Sequence, residues 1–121
     1  MLGPNSLSRC ERLTREADYE RVYARRCMVR DEVLQVCACE NELPYSRIGL
    51  SVGRKWGQAV VRNRLRRLFR EAFRLSKPDL PTGLDLVLIP RRSAVELREL
   101  RTALPKLARL AEDRLRRRQR P

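Results

Sequence analysis

The sequence predicts an α+β fold in two layers, a sheet with helices packed on it. Three observations carry that prediction. Apolar residues recur at helical spacing in three separate stretches. Between those stretches lie runs with strand character, giving the order helix, strands, basic helix, strand, helix. The chain has 121 residues, 42% of them apolar, and shows neither an internal repeat nor a second apolar core. That length suits one domain able to bury a modest core without a metal or disulfide staple.

Residues 1–13 hold Gly, Pro, Asn and Ser without an apolar period and are expected to be mobile. A helix follows, with Thr14 as candidate N-cap, acids in its first turn, and Ala17, Tyr19, Val22, Tyr23 and Cys27 at helical spacing. Residues 32–40 alternate as a strand, with Val33, Gln35, Cys37 and Cys39 on one face and Leu34, Val36 and Ala38 on the other. A turn at Asn41-Glu42-Leu43-Pro44-Tyr45 leads to a second strand over residues 47–53 and a loop over 53–58. The basic helix comes next and is stopped by the Pro- and Gly-containing residues 76–83. Residues 84–90 form an almost wholly apolar strand, which predicts an interior place in the sheet. The last helix is expected from about Ser93 to Arg118, with Leu97, Leu100, Leu104, Leu107, Ala111 and Leu115 as its stripe. Pro105 inside it predicts a kink or restart.

Charge is concentrated rather than spread. The formal net charge is +13, from 28 basic and 15 acidic residues; residues 1–50 balance, whereas residues 51–77 carry nine cations and one acid, Glu71. On a helix turning roughly 100° per residue, Val61, Leu65, Leu68, Ala72 and Leu75 share an apolar arc of roughly 80°. Arg62, Arg66, Arg67, Arg70 and Arg74 fall opposite it, and Arg64 lies just beyond its edge. Guanidiniums at i, i+4 spacing repel each other, so the face is costly unless a polyanion neutralises it. Arginine forks meet phosphate oxygens two at a time and stack on bases, which points to an RNA or DNA backbone. Asn63 could contact a phosphate or base edge, or serve as a polar residue near the helix N-terminus. Arg64 could pack its stem on the core margin while its head reaches RNA or pairs with an edge acid such as Asp85.

Several function classes are disfavoured. No run of some eighteen apolar residues and no signal-peptide plan occur, which predicts a cytoplasmic protein without a membrane partner. The four cysteines (Cys10, Cys27, Cys37, Cys39) include one close pair, C-x-C, and lack the spacing of zinc ligands; they are expected to act as reduced, buried small hydrophobes. There is no histidine, no clustered-carboxylate motif and no phosphate-binding glycine loop, so neither catalytic residues nor a metal site are expected.

The run from Arg47-Ile48-Gly49-Leu50-Ser51-Val52-Gly53-Arg54-Lys55 through Ala59-Val60-Val61-Arg62-Asn63-Arg64-Leu65-Arg66-Arg67-Leu68-Phe69-Arg70-Glu71-Ala72-Phe73 resembles the signature of the bacterial ribonuclease P protein component. Asp18-Tyr19-x-x-Val22-Tyr23 resembles that family's first helix, and residues 83–91 its last strand, so the likeness covers roughly residues 12–110. It implies an α/β sandwich with a four-stranded sheet, about three helices and a left-handed crossover, like the second domain of a small-subunit ribosomal protein. It also implies a role in maturing the 5′ end of precursor tRNA, with a catalytic RNA and RNA-held magnesium doing the hydrolysis and no cofactor bound by the protein alone.

Carried onto this chain, the resemblance assigns catalytic-RNA binding to Arg54, Lys55, Arg62, Asn63, Arg64, Arg66, Arg67, Arg70 and Arg74. Binding of the precursor tRNA leader falls to Tyr19, Tyr23, Arg30 and Trp56, in a cleft between the first helix and the open sheet face. The partners implied are ribonuclease P RNA and precursor tRNA, with no obligate protein partner. Glu32 and Gln35 stand where the family often has aromatic residues, which shifts stacking toward Tyr19 and Tyr23. Those two tyrosines lie one helical turn apart, as core residues would, and Trp56 suits either a cap on the core or a nucleotide stack. Expected organisation is a single RNA-binding domain over residues 14–118 with a basic tail end at 119–121. A ribosomal or general RNA-binding protein without a processing role is the alternative.

Overall fold

Leu84–Pro90, the most apolar run in the chain, forms an interior strand of a four-stranded sheet, as its composition requires. The computed structural model describes residues 7–119. In chain order they form α1 (Glu16–Arg25), β1 (Cys27–Arg30), β2 (Leu34–Glu40), β3 (Arg47–Leu50), α2 (Ala59–Ser76), β4 (Leu84–Pro90) and α3 (Leu97–Gln119). The sheet order is β1-β2-β4-β3, with β4 antiparallel to β2 and parallel to β3. The α2 helix makes the crossover between the two parallel neighbours β3 and β4. Against one face, Leu34, Val36, Ala38, Ile48, Leu86 and Leu88 meet side chains of α2 and α3 in the main core. On the other face α1 sets Val22 and Tyr19 over Cys37, Cys39 and Val87.

The structure corrects several local expectations. Thr14 does not cap α1; the helix begins after Arg15, whose side chain makes no capping bond. It ends because Arg26 adopts the left-handed conformation at φ 56°, so Cys27 opens an edge strand instead of closing the helical stripe. No glycine marks that turn, which hides β1 from the sequence pattern. Strand β2 starts at Leu34 because the Asp31 carboxylate accepts the N–H groups of Val33 and Leu34 at 2.8 and 3.0 Å, holding a turn ahead of it. Strand β3 ends at Leu50 rather than continuing to residue 53.

The buried face of α2 is Leu65, Phe69, Ala72, Phe73 and Ser76, turned by about 70° from the expected arc at 100° per residue. Phe69 and Phe73 carry more apolar surface than Leu68 and Leu75, and burial follows them. Helix α3 starts at Leu97, where the Glu99 carboxylate turns back onto the Glu96 N–H at 3.0 Å, rather than at Ser93. It runs without a restart through Pro105. Residues 7–13 are not loose: Leu13 is buried and its N–H donates to the Ile48 carbonyl at 2.8 Å, and buried Glu11 accepts from Lys77 at 2.9 Å. Residues 1–6, the rest of that segment, and residues 120–121 of the tail lie outside the described residues.

Asp85 is wholly buried in β4 and carries a charge. Its Oδ1 accepts from Arg47 Nε at 2.8 Å and Asn41 Nδ2 at 2.9 Å, and its Oδ2 accepts from Arg47 at 2.6 Å and from Arg21. Burial pushes this carboxyl up, but the hydrogen bonds from Arg47, Asn41 and Arg21 outweigh it and hold the carboxyl below its ordinary value. Glu40 is held at about 2, first by its hydrogen bond from Arg25. Carboxylates with depressed folded values stabilise the fold fully above their unfolded values, and that contribution is lost as pH falls through the folded ones. Stability is therefore expected to be flat above about pH 5 and to decline toward pH 2. Asp85→Ala should cost about 3 kcal/mol in urea unfolding at pH 7, because it strands two arginines, and should make the acid decline shallower. An unchanged midpoint would show that the cluster does not hold the sheet.

Candidate nucleic-acid interface

Turning α2 on its phenylalanines brings Arg62 and Arg66 down beside the sheet. Both reach the Val52 carbonyl just beyond β3, at 3.4 and 3.5 Å, and Arg66 also donates to Asn63 Oδ1 at 2.9 Å. The bonds to Val52 are long and weak, and they leave the guanidiniums available at the surface. The guanidiniums of Arg67 and Arg70, farther around the helix, have no hydrogen-bond or ion-pair partner among the described residues. Arg74, which helical spacing sets on a face without acid partners, instead pairs with Glu71, one turn away. Arg64 does not pair with Asp85; it donates to the carbonyls of Ser93 and Val95, tying α2 to the approach to α3.

Ahead of α2, the exposed Arg54 and Lys55 occupy a short 3-10 turn, Arg54–Trp56, with the Lys55 ammonium 5.1 Å from the centre of the Trp56 ring. Gly57 closes this turn at φ 115°, a conformation that favours glycine. No acid or side-chain cap neutralises the α2 N-terminus, so its backbone N–H groups add to the positive field.

The two tyrosines part company. Tyr19 lies flat on β3: its hydroxyl accepts the Leu50 N–H at 3.1 Å, and its ring leaves no room for a side chain at Gly49, where a Cβ would come within 2.9 Å of three side-chain atoms of the tyrosine. Tyr23 is 43% exposed and lines a different groove of about 320 Å³ with Val22, Arg26, Met28, Gln35, Cys37 and Ile89. Arg30 is exposed beside that groove, paired in register with Gln35. Trp56 lies elsewhere, against the α2–α3 core, and does not line the groove. Tyr19 instead borders a cleft of about 240 Å³ with Arg12, Thr14, Gly49, Arg66 and Arg70. Arg12 and Arg26 are basic residues that the sequence pattern does not single out. Arg12 reaches the cleft through its bridge to Ile48, a pairing across 36 residues that no local pattern signals.

Cys27, Cys37 and Cys39 are buried, and burial pushes each thiol up and out of thiolate chemistry; Cys10 is exposed, contrary to expectation. Among the described residues no group of three or more potential ligands could hold a metal ion, and no helix is long and apolar enough to cross a membrane.

An α+β sandwich that aligns unpaired arginines along one helix, with an apolar groove beside another helix on the opposite face of the sheet, defines an RNA-binding protein. The family model for ribonuclease P matches residues 7–112. A ribonuclease P protein component of Oleidesulfovibrio alaskensis is 44% identical over 88 residues, covering 71% of this chain and 70% of that protein. One from Thermotoga maritima is 40% identical over 91 residues, covering 75% and 78%. Among solved structures, the RNase P protein of Thermotoga maritima superposes with a TM-score of 0.74 at 36% identity, covering 81% of this chain and 94% of that one. That of Staphylococcus aureus gives 0.72 at 29% identity, covering 84% and 94%. The chain belongs to the ribonuclease P protein family, and its function is that of a protein component of this ribonuclease rather than of a general RNA-binding protein.

The division between the tyrosines makes a measurable difference. Tyr19→Ala and Gly49→Ala are expected to lower stability by about 1–3 kcal/mol, through removal of the packed ring and a forced shift of it respectively. Tyr23→Ala should leave the melting temperature within about 2 °C of the parent, since a half-exposed ring holds little together. Equal losses of stability at Tyr19 and Tyr23 would contradict this assignment.

Proposed function

We propose that the protein is the accessory subunit of an RNA-based endoribonuclease in the cytoplasm, binding ribonuclease P RNA through the arginines of α2 and the 5′ leader of precursor tRNA in the groove between α1 and the sheet. The observation that carries this reading is the arginine flank itself. Arg62 and Arg66 are only loosely held, the guanidiniums of Arg67 and Arg70 have no partner among the described residues, and the nearest acid, Glu71, is already taken by Arg74. Asn63, Arg54 and Lys55 extend the same surface, and Arg64 and Arg74 border it. In the leader groove Tyr23 supplies a ring, Met28 and Ile89 an apolar floor, and Arg26 and Arg30 cations for phosphates.

Magnesium in this reading belongs to the RNA of the holoenzyme. The buried Asp85 carboxylate does not suit it, because its oxygens are occupied by Arg21, Arg47 and Asn41. What the protein supplies is positioning. Cations along α2 offset the charge of a folded RNA, and a groove on the opposite face of the sheet holds an unpaired strand, so a substrate leader is fixed relative to the catalytic RNA.

Precursor tRNA incubated with the protein alone, with the RNA alone at low magnesium, and with both should be cleaved efficiently only in the combined reaction. Cleavage by the protein alone would overturn the reading. Replacing Arg62 and Arg66 by Gln should weaken RNA affinity and reduce its salt dependence by a slope of roughly 0.7–0.9 for each phosphate no longer neutralised, with the fold intact. Tyr23→Ala in the assembled enzyme should weaken binding of a long-leader substrate by several-fold to about a hundredfold and spare a substrate with a one-nucleotide leader. Equal weakening on both substrates would remove Tyr23 from the leader site.

A further inference from the structure

The segment before α1 builds a cavity on the solvent side of α2. Its Arg9–Glu11 turn is fixed by Glu11, which accepts the Ser8 N–H at 3.0 Å and the Lys77 ammonium at 2.9 Å, and by the bridge from Arg12 to Ile48. Between this segment and α2 opens a recess of about 630 Å³, floored by Leu7 and Leu68 and rimmed by Arg12, Arg64, Arg67, Arg70 and Arg74, with Glu71 as its one acid. Arg64 and Arg74 are spent on Ser93, Val95 and Glu71. The guanidiniums of Arg12, Arg67 and Arg70 have no partner among the described residues.

A surface that tracks a phosphate backbone needs cations and no apolar recess. Here three unpartnered guanidiniums surround a floor of two leucines, a combination that matches a flat apolar ring carried between two anions. We propose that this recess binds one unpaired nucleobase of the RNA, its face on Leu7 and Leu68 and its flanking phosphates on Arg12, Arg67 and Arg70. The proposal rests on the reading of α2 as the face that meets the catalytic RNA, and adds to it a site for a single splayed-out nucleotide built jointly by α2 and the preceding segment. The Glu71 carboxylate, held ionised by Arg74, lies at the same rim and can accept an N–H from the base edge. Arg12 and Arg70 also line the cleft beside Tyr19, so a strand leaving the recess meets a continuous path of cations.

Affinities of the full chain for hexaadenylate RNA and for an abasic hexamer with the same phosphates test this. The base-containing strand should bind about 5- to 30-fold more tightly, the range that burying one face of a base against apolar side chains supplies. Leu7→Ser and Leu68→Gln should bring the two strands within about twofold while leaving the abasic affinity unchanged, whereas Arg12→Gln should weaken both alike and lower the salt slope by about 0.7. Leu7 and Leu68 both also touch the core, so the melting of each variant is measured and the comparison is made below its transition. Equal binding of both strands by the parent protein overturns the proposal, as does a preference that survives both leucine variants and disappears in Tyr23→Ala, which would place the base in the α1 groove. The wider reading fails separately: Arg62→Gln with Arg66→Gln would then leave ribonuclease P RNA binding intact whatever the hexamers show.

Discussion

The buried carboxylate of Asp85 is the constraint on which the arrangement of both proposed RNA-binding regions depends. It sits in β4, a strand with neighbours on both sides, and is reached by Arg47 from β3, Arg21 from α1 and Asn41 from the loop after β2. A charge taken wholly out of water is tolerated only with its lone pairs filled, and two guanidiniums and an amide fill them. The geometry this enforces is specific. Arg47 fixes β3 against β4, and β3 carries Gly49, on which the Tyr19 ring rests. Arg21 fixes α1 over the sheet, and the groove bearing Tyr23 is the space that α1 leaves uncovered beside it.

A chain with 28 basic and 15 acidic residues cannot neutralise its cations with carboxylates. It uses main-chain carbonyls instead. Arg118 donates to the carbonyls of Arg25 and Arg26 where α1 ends, at 2.9 and 3.0 Å, Arg114 to Met28 at 3.0 Å, and Arg109 to Asp79 at 2.9 Å. A helix C-terminus and a loop carry partial negative charge with unsatisfied acceptors, so such bonds serve as caps as well as ion sinks. By this means α3 straps the junction of α1 and β1 and stabilises the left-handed Arg26, which has no glycine to ease it. Arg12, Arg67 and Arg70 have no such anchor among the described residues, and all three face the recess on α2.

Features set by period or composition were legible in the sequence. The interior position of β4, the two faces of β2 and the stripe of α3 all follow from apolar spacing, and the concentration of cations on the Arg-Asn-Arg segment pointed to a nucleic-acid backbone. What stayed hidden depends on contacts between distant residues. Strand β1 is four residues long and begins after a non-glycine left-handed turn, so it exists because β2 and α3 hold it. Residues 7–13 read as loose because Glu11 finds Lys77 across 66 positions. The rotation of α2 is legible in principle: Phe69 and Phe73 stand in plain view, and weighting positions by side-chain area rather than counting them turns the arc the right way.

That rotation decides which arginines do what. With Leu68 and Leu75 at the centre of the buried face, Arg62 would point away from the sheet and the arginines would form one convex, solvent-facing stripe. With Phe69 and Phe73 buried, Arg62 and Arg66 fold onto the end of β3 while Leu68 rises to the surface beside Leu7. The helix then presents a cationic track toward the sheet on one flank and a recess with an apolar floor on the other. Two phenylalanines that never meet RNA thus set the chemical difference between the flanks, because burying them fixes the angle at which every polar residue of α2 leaves the protein.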